Sequence, residues 1–334
     1  MNRITRLFAG LALTAALTLG TALPALGARA AGTDTDQALT LAAAYVAAAV
    51  PSPQVASAGG EWAVLGLARC GRLSQSQRAA YLTALEHTLA ETQGVLSQRK
   101  YLEYARVVLA LTALGEDAAR TGDYDLTAPL LDGEMVEWQG INGPIFALLA
   151  LDSGSYPGTE ARERYLRDIL QAQGADGGWS LAGTRGDPDV TAQALQALAP
   201  YAAADPEAAR AIENGLACLE ALWAEGSFVT AESCAQALIA YAALDRAAPP
   251  DLVEELLSYQ QPDGSFAHLP GGASDLMASE QALCALTALA RQGRGLFPLY
   301  DMTAAGAEQS DPDRIAVLFE ALPACAAPDP RRAA

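Results

Sequence analysis

Few residues of this 334-residue chain have the types and spacing that catalysis or metal binding requires. The histidines number only two, His87 and His268, and the chain contains neither an H-E-x-x-H metal motif nor a Gly-rich phosphate loop. No Ser, His and Asp residues follow one another in a recognisable triad order. The pairs that remain are the acids of Asp187-Pro188-Asp189-Val190 and the acid and thiol of Glu232-Ser233-Cys234.

Each pair has both a chemical and a structural interpretation. Asp189 is the candidate catalytic acid, but Asp187 is also a good helix N-cap, with Pro188 in the first turn and Asp189 favoured by the helix dipole. Glu232 and Cys234 can both bind zinc, yet zinc sites need three or four good ligands. We therefore expect no metal site, with Glu232 at a helix start and Cys234 packed as a small apolar residue.

The elements that position these residues follow from a repeated helical phrase. Its copies are almost wholly apolar, which is typical of helices with no solvent face. They recur every 40–47 residues, and such a period indicates units that must stack to bury their apolar faces. The six copies are WAVLGL (62–67), RVVLAL (106–111), FALLAL (146–151), QALQAL (193–198), QALIAY (236–241) and QALCAL (281–286).

A more polar helix is predicted before each apolar one, over 36–50, 74–91, 126–138, 159–173, 205–223 and 249–260. Six polar and six apolar helices in alternation predict an all-α fold, an α6/α6 toroid of six helical hairpins over residues 31–322. A thirteenth helix, 311–322, is expected to cap it, and residues 323–334 are expected to form a disordered tail. No alternating run of β-branched residues predicts a sheet.

Residues 1–30 have the pattern of a secretory signal peptide. A basic start and an apolar run precede a small-residue cleavage site near Ala30, so we expect a secreted or cell-surface protein. An uncleaved membrane anchor is the alternative to this interpretation. Removal of Arg3, Arg6 and Arg29 would change the net charge from −18 to −21, which argues against nucleic acid or anionic lipid as partners.

Cysteine usage predicts no disulfide framework. The chain has five cysteines, so at least one has no partner within it. Two of them fall in or next to apolar phrases, where a free thiol acts as a small apolar residue. The five are Cys70, Cys218, Cys234, Cys284 and Cys325.

A turn motif, Q-x-x-x-G-x-W/F, links polar and apolar helices twice, with a partial copy at 224–230. The glycine suits a turn with positive φ, the aromatic residue fills the gap between hairpins, and the glutamine can bond backbone groups at a helix end. Its residues are Gln173, Gly177, Trp179, Gln260, Gly264 and Phe266.

This motif resembles the QW turn of the prenyltransferase and squalene-cyclase repeat superfamily, and the resemblance covers about residues 36–292. The stretches 99–115, 139–156, 171–201 and 227–241 are similar to secreted or surface proteins of Gram-positive bacteria that contain this repeat. The superfamily has the α/α toroid fold. Members of the surface group often carry a further domain similar to that of transcobalamin, which we do not expect in this chain.

The resemblance also implies where family chemistry would lie. The zinc ligands of protein prenyltransferases align with Glu232, Cys234 and Gln281, and the glutamine replaces a histidine. The D-x-D-D acid of class II terpene cyclases aligns with Asp189, but Val190 replaces its partner. The reactive cysteine of thioester proteins aligns with Ala278. Each of the three sites therefore lacks an essential residue.

A non-catalytic binding role is the expectation that follows. The toroids of transcobalamin and intrinsic factor hold cobalamin at one mouth, which implies a cobalamin- or isoprenoid-like ligand, or a surface protein partner, for this chain. Helix dipoles converge at that mouth and are expected to favour ligand groups that accept hydrogen bonds. A divergent terpene cyclase or prenyltransferase-like enzyme remains the alternative, and a monomer is expected. The expected ligand-binding residues are Tyr104, Asn142, Asp189, Glu232 and Gln281, with Tyr101, Trp138 and Trp179 nearby.

Overall fold

The computed structural model describes the backbone of residues 23–310 and the side chains of residues 34–310. Its contacts divide the chain between Asp34 and Thr35 into two units. In the first unit, the described backbone is helical from Leu23 onward. Most of the predicted signal peptide, the predicted capping helix 311–322, the predicted tail 323–334 and Cys325 lie outside the described residues. The second unit, from Thr35, contains all six apolar phrases and both turn motifs.

The described part of the chain is almost entirely helical. Its only strands are two-residue elements, β1 (Phe266–Ala267) and β2 (Ser274–Asp275), which pair antiparallel between α11 and α12. None of the described helices combines the length and the apolarity that crossing a membrane requires. The α-helices are α1 (Leu23–Ala49), α2 (Glu61–Arg69), α3 (Gln75–Thr92), α4 (Leu102–Ala113), α5 (Gly133–Glu137), α6 (Asn142–Ser153), α7 (Thr159–Gln171), α8 (Pro188–Leu198), α9 (Pro206–Ala224), α10 (Ala231–Ala243), α11 (Pro250–Ser258), α12 (Leu276–Gly293) and α13 (Ala305–Ser310).

The six apolar phrases all lie inside helices, namely α2, α4, α6, α8, α10 and α12, which we call the core helices. They are buried almost all round because apolar side chains occupy every face. Each core helix contacts the next along the chain, and α12 contacts α2, so this series of contacts returns to its start. The prediction that the phrases form buried helices is confirmed.

Polar helices pack against core helices that are adjacent to them in sequence. The pairs in contact include α2–α3, α6–α7, α8–α9 and α10–α11. The starts of two follow from their capping residues. Ser74 forms a reciprocal capping box with Gln77 before α3, and the Asp205 carboxylate accepts hydrogen bonds from the first turn of α9. One face of α7 is buried through Tyr165 and Ile169.

The prediction of one continuous helix over 126–138 is wrong. This segment contains a 3-10 turn, Ala128–Leu131, followed by the short helix α5. Asp132 separates them with an extended backbone (φ −81°, ψ 92°), and its carboxylate accepts a hydrogen bond from the Met135 amide. An Asp is a better N-cap than helix-interior residue, so the helix restarts there.

At the carboxyl ends of α2 and α12, two buried arginines hold the segment that follows α12. Arg69 donates to the backbone carbonyls of Phe297, Pro298, Leu299 and Asp301, at 2.8–3.4 Å. Arg291 donates to the carbonyls of Phe297 and Arg69. Both guanidinium groups also bond the Glu308 carboxylate of α13, at 2.6 and 2.7 Å.

Candidate binding site at the amino ends of the core helices

The first Q-x-x-x-G-x-W turn, between α7 and α8, is fixed by its glutamine and glycine. Gln173 Nε2 donates to the carbonyls of Gly177 and Ala211, each at 2.8 Å. Gly177 has φ +84°, and a Cβ there would lie 2.5 Å from the Asn214 carbonyl of α9. Trp179 is fully buried, and its indole N–H donates to the Ile169 carbonyl. The motif residues therefore fix the turn between the polar helices α7 and α9. The Gln173 amide and the Trp179 indole already have hydrogen-bond partners within the fold.

The second copy of the motif has the same geometry against α1. Gln260 Nε2 donates to the Ala38 carbonyl at 3.0 Å. Gly264 has φ +90°, and a Cβ there would lie 2.4 Å from the Leu41 carbonyl. Phe266 is fully buried, like Trp179 in the first copy. Each turn thus brings its chain directly to the amino end of the next core helix.

A cleft of about 680 Å³ lies at the amino ends of α6 and α8. Asn142, the first residue of α6, and Asp189, near the start of α8, both line it. Asn142 Oδ1 and Asp189 Oδ1 are both buried and have no hydrogen-bond partner. The structure therefore brings together two of the five predicted binding residues, each with an unpartnered acceptor atom.

The electrostatic surroundings of Asp189 favour its neutral form. Burial raises the pKa of the Asp189 carboxyl, and the nearby charges of Asp187 and Glu232 raise it further. The neighbouring Ser233 hydroxyl and the charge of His268 act in the opposite direction. The Asp187 carboxylate caps α8 by accepting hydrogen bonds from Asp189 N and Val190 N, as the sequence predicts.

Glu232, at the start of α10, is engaged by a neighbouring turn. Both of its carboxylate oxygens lie 2.9–3.0 Å from Nδ1 of His268. The imidazole is about half exposed, whereas the Glu232 side chain is only 18% exposed. Cys234, two residues later, is buried, and burial raises the pKa of its thiol to about 12. Nowhere in residues 34–310 do three His, Cys, Asp or Glu side chains form a group able to hold a metal ion.

The other predicted binding residues are engaged within the fold. The Tyr104 side chain is buried, and its hydroxyl accepts a hydrogen bond from the Leu96 amide at 3.0 Å. Gln281 Oε1 accepts a hydrogen bond from Gln236 Nε2 at 2.5 Å. Neither residue is among those that line the cleft of Asn142 and Asp189.

The aromatic residues expected near the site differ widely in exposure. Trp138 is 62% exposed and lies 5.9 Å from the Arg99 guanidinium. Tyr101 packs edge-on against Tyr104, with the two ring centroids 5.4 Å apart. Trp138 is therefore the one predicted aromatic residue that presents most of its side chain to solvent.

Two further acidic residues lie at the same end of the core helices, and the sequence did not predict that they form a pair. Glu61 begins α2 and Glu280 lies in the second turn of α12, and both side chains are buried, at 1% and 0% exposure. The loop before α2 donates one backbone hydrogen bond to each, from Ala56 N to Glu61 Oε1 (2.8 Å) and from Gly59 N to Glu280 Oε1 (2.9 Å). Their Oε2 atoms are buried without partners.

The signal that could have identified this pair is positional. Glu61 and Glu280 each stand directly before an apolar phrase, where the other four copies have Ala or Ile. Burial raises the pKa of Glu280 to about 8, and the charge of Glu61 contributes in the same direction. The positive charge of Arg106, on α4, lowers the pKa of both carboxyls.

Unpartnered polar atoms are thus concentrated at the amino ends of five core helices. Asn142 Oδ1 accepts hydrogen bonds and Arg106 Nε donates, whereas the three carboxyl oxygens accept when ionised and can donate when protonated. Where these carboxyls are ionised, such a set favours a ligand that supplies hydrogen-bond donors, because unpaired buried acceptors are costly. This differs from the expectation that the helix dipoles favour ligand groups that accept hydrogen bonds. The difference arises because side chains at these helix ends already supply acceptor atoms. The five atoms are Glu61 Oε2, Arg106 Nε, Asn142 Oδ1, Asp189 Oδ1 and Glu280 Oε2.

Comparison of the chain with protein-family models, with curated proteins and with solved structures gives no match.

Proposed function

We propose that the six hairpins form an α6/α6 toroid of the prenyltransferase and squalene-cyclase repeat type. The closed series of contacts among the core helices supports this arrangement. So does the approach of Trp62 on α2 to Phe146 on α6, whose ring centroids lie 6.0 Å apart although α4 comes between them in the series. These two residues and Gln281 all occupy the first position of the repeated phrase.

We further propose that the protein is exported and binds a small molecule at the amino ends of the core helices without transforming it. The observation that carries this proposal is the pair of unpartnered acceptors, Asn142 Oδ1 and Asp189 Oδ1, in one cleft of about 680 Å³. Its volume lies within the range of about 300–1,000 Å³ that is usual for small-molecule sites. A ligand rich in hydroxyl, amide or amine N–H groups fits these atoms best.

A corrinoid, whose side-chain amides are donors, belongs to this class, and so does a sugar–peptide fragment of the cell wall. The test is a calorimetric titration of the purified chain with hydroxocobalamin and with a muramyl peptide, beside the neutral isoprenoid farnesol. We expect saturable binding of a donor-rich probe. Asp189→Asn should weaken it at least tenfold, or about 1.4 kcal/mol, because an NH2 group that cannot accept a hydrogen bond replaces one of the two carboxyl oxygens.

The matched control is Asp205→Asn, which makes the same chemical change at the cap of α9, away from the cleft. This variant should bind like the original protein, and circular dichroism should show that both variants are folded. Binding that is equally strong in Asp189→Asn would place the ligand elsewhere, and absence of binding by both donor-rich probes would count against the proposal.

An enzyme with a divergent site is the second candidate, favoured by one observation. The raised pKa of Asp189 is what a carboxylic acid that donates a proton requires. Turnover of squalene or an isoprenoid diphosphate that Asp189→Asn abolishes would replace the binding proposal with this one. Product analysis by mass spectrometry is the deciding measurement.

A further inference from the structure

A second cleft, of about 550 Å³, lies at the opposite, carboxyl ends of α6, α8 and α10. Its remaining wall is the segment 298–303, which follows α12. Most of the lining is apolar, contributed by Leu149, Ala197, Pro200, Ala243, Pro298 and Leu299. None of these residues belongs to the cleft of Asn142 and Asp189.

The wall formed by 298–303 is held firmly. Arg69 bonds the carbonyls of Pro298, Leu299 and Asp301. At the other side of the segment, Met302 N donates to the Ser153 carbonyl at the end of α6, at 2.9 Å. The cleft is therefore part of the built structure and is bounded by helices on one side and an anchored segment on the other.

The charged groups in the walls are already paired. Asp152 accepts hydrogen bonds from Arg162 Nε at 2.5 Å and from the Tyr201 hydroxyl at 2.8 Å. The Asp301 carboxylate accepts from the amide and the hydroxyl of Thr303. Burial raises the pKa of the Tyr201 hydroxyl, and the charge of Asp152 adds to this, so the phenol stays neutral. A negatively charged ligand would find no free cation among these groups, because the wall groups are carboxylates and Arg162 is already paired with Asp152.

Among the fully buried polar side-chain atoms of the wall, one has no partner. Gln196, on α8, is 3% exposed, and its Oε1 is buried with no hydrogen bond. Its Nε2 donates to the carbonyl of Gln236 at 2.9 Å and to Gln236 Oε1 at 3.0 Å. A flipped amide would set Oε1 against these two acceptors, so the orientation of the amide is determined. Oε1 is therefore an acceptor without a partner, on a residue that lines the cleft.

We infer that this cleft binds a neutral, mainly apolar small molecule that carries one hydrogen-bond donor, with the donor bonded to Gln196 Oε1. Apolar walls bury the body of the ligand, and the buried unpaired acceptor selects a hydroxyl or amide N–H over a carbonyl or a hydrocarbon. The site is separate from the one proposed at the amino ends of the core helices, and neither proposal depends on the other.

The test uses 2-adamantanol and 2-adamantanone as rigid probes of nearly equal shape, of which only the alcohol has a donor. Ligand-observed NMR on the full chain measures their dissociation constants. We expect saturable binding of the alcohol and at least tenfold weaker binding of the ketone. Gln196→Met, which removes the acceptor at similar volume, should bring the affinity for the alcohol down to that for the ketone.

A second variant tests location independently of Gln196. Ala243→Phe places a ring in the cleft from the end of α10 and should abolish binding of both probes, whereas Asp189→Asn at the other cleft should leave it unchanged. Circular dichroism checks that each variant is folded. Equal affinity for alcohol and ketone, no binding of the alcohol, or full binding by Ala243→Phe would overturn the inference.

Discussion

At the carboxyl ends of α2 and α12, Arg69 and Arg291 share the Glu308 carboxylate and bond a row of backbone carbonyls. At the amino ends of the same two helices, Glu61 and Glu280 each keep one oxygen buried without a partner. Both ends bury ionisable side chains, but only the carboxyl end provides every buried polar atom of these side chains with a hydrogen-bond partner. Burial of an unpaired polar group costs free energy. A folded protein that keeps such a group is therefore a candidate for binding a ligand that supplies the missing hydrogen bond.

The two ends also differ in what covers them. Segment 297–310 is bonded to the carboxyl ends of α2, α4 and α6, where Gln309 reaches the carbonyls of Ala68 and Ala113 and Met302 bonds Ser153. At the amino ends, the helices are approached by short separate segments, among them the loop 51–60, the segment before α4 and the turn that contains His268. The carboxyl end is thus built for stability over α2 and α4, and the amino end is the better candidate for function.

The largest effect should come from breaking the carboxyl-end cluster. Arg69→Met leaves Glu308 half-paired and several buried carbonyls without a donor, so we expect a loss of about 3–5 kcal/mol in the free energy of unfolding. Chemical denaturation followed by circular dichroism measures it. Arg120→Met is the control, because the Arg120 side chain is 86% exposed, and it should change stability by less than about 0.5 kcal/mol. If Arg69→Met loses no more free energy of unfolding than Arg120→Met, the cluster does not stabilise the carboxyl ends of α2 and α12.

A smaller effect is expected at the turns that lead into the amino ends. Gly177→Ala and Gly264→Ala should each cost about 2–4 kcal/mol, because both have positive φ and a Cβ would meet a backbone carbonyl at 2.4–2.5 Å. Gly226→Ala, with φ +71° but open space around it, should cost only about 1–2 kcal/mol. Thermal and urea unfolding of the three variants gives the comparison. Equal losses in all three would mean that backbone conformation alone, without the packing against α9 and α1, accounts for the effect.

The smallest effect concerns the unpaired acid of the amino end. Burial raises the pKa of Glu280 from 4.5 to about 8, so the folded state binds a proton that the unfolded state releases, and stability should fall as pH rises through this range. Glu280→Gln should remove that fall and stabilise the protein by about 1–3 kcal/mol at pH 8, with little change at pH 5.

Unfolding curves at pH 5 and pH 8 test the Glu280 prediction, with Glu254→Gln on the exposed face of α11 as the control. The control should keep the same fall in stability between the two pH values as the original protein, because it retains Glu280. An unchanged pH dependence in Glu280→Gln would mean that the charge of this carboxyl is compensated, and the contrast between the two ends would be weaker than we propose.

Much of the helical structure could be predicted from local sequence. The six phrases predict six buried helices, and Ser74, Asp187 and Asp205 predict the starts of α3, α8 and α9 through their capping geometry. Periodicity failed at 126–138, where apolar spacing suggested one helix but Asp132 divides the segment. The β1–β2 pair was not predicted because two-residue strands carry no alternation to recognise.

The candidate site could be predicted only in part. Asn142 and Asp189 were named, and they line one cleft, whereas Tyr104 and Gln281 bond elsewhere in the fold. The Glu61–Glu280 pair was not proposed because its members are 219 positions apart in sequence and approach only where α12 contacts α2.

The sequence by itself determined which segments are helices and which of their faces are apolar, because both depend on contacts within a few residues. Only the tertiary structure decided which polar atoms lose water and which find partners. Burial of Glu280 depends on α2, α12 and the loop before α2 together, and the partners of Arg69 lie more than 200 residues away. Desolvation depends on everything packed around a group, and no local pattern records it.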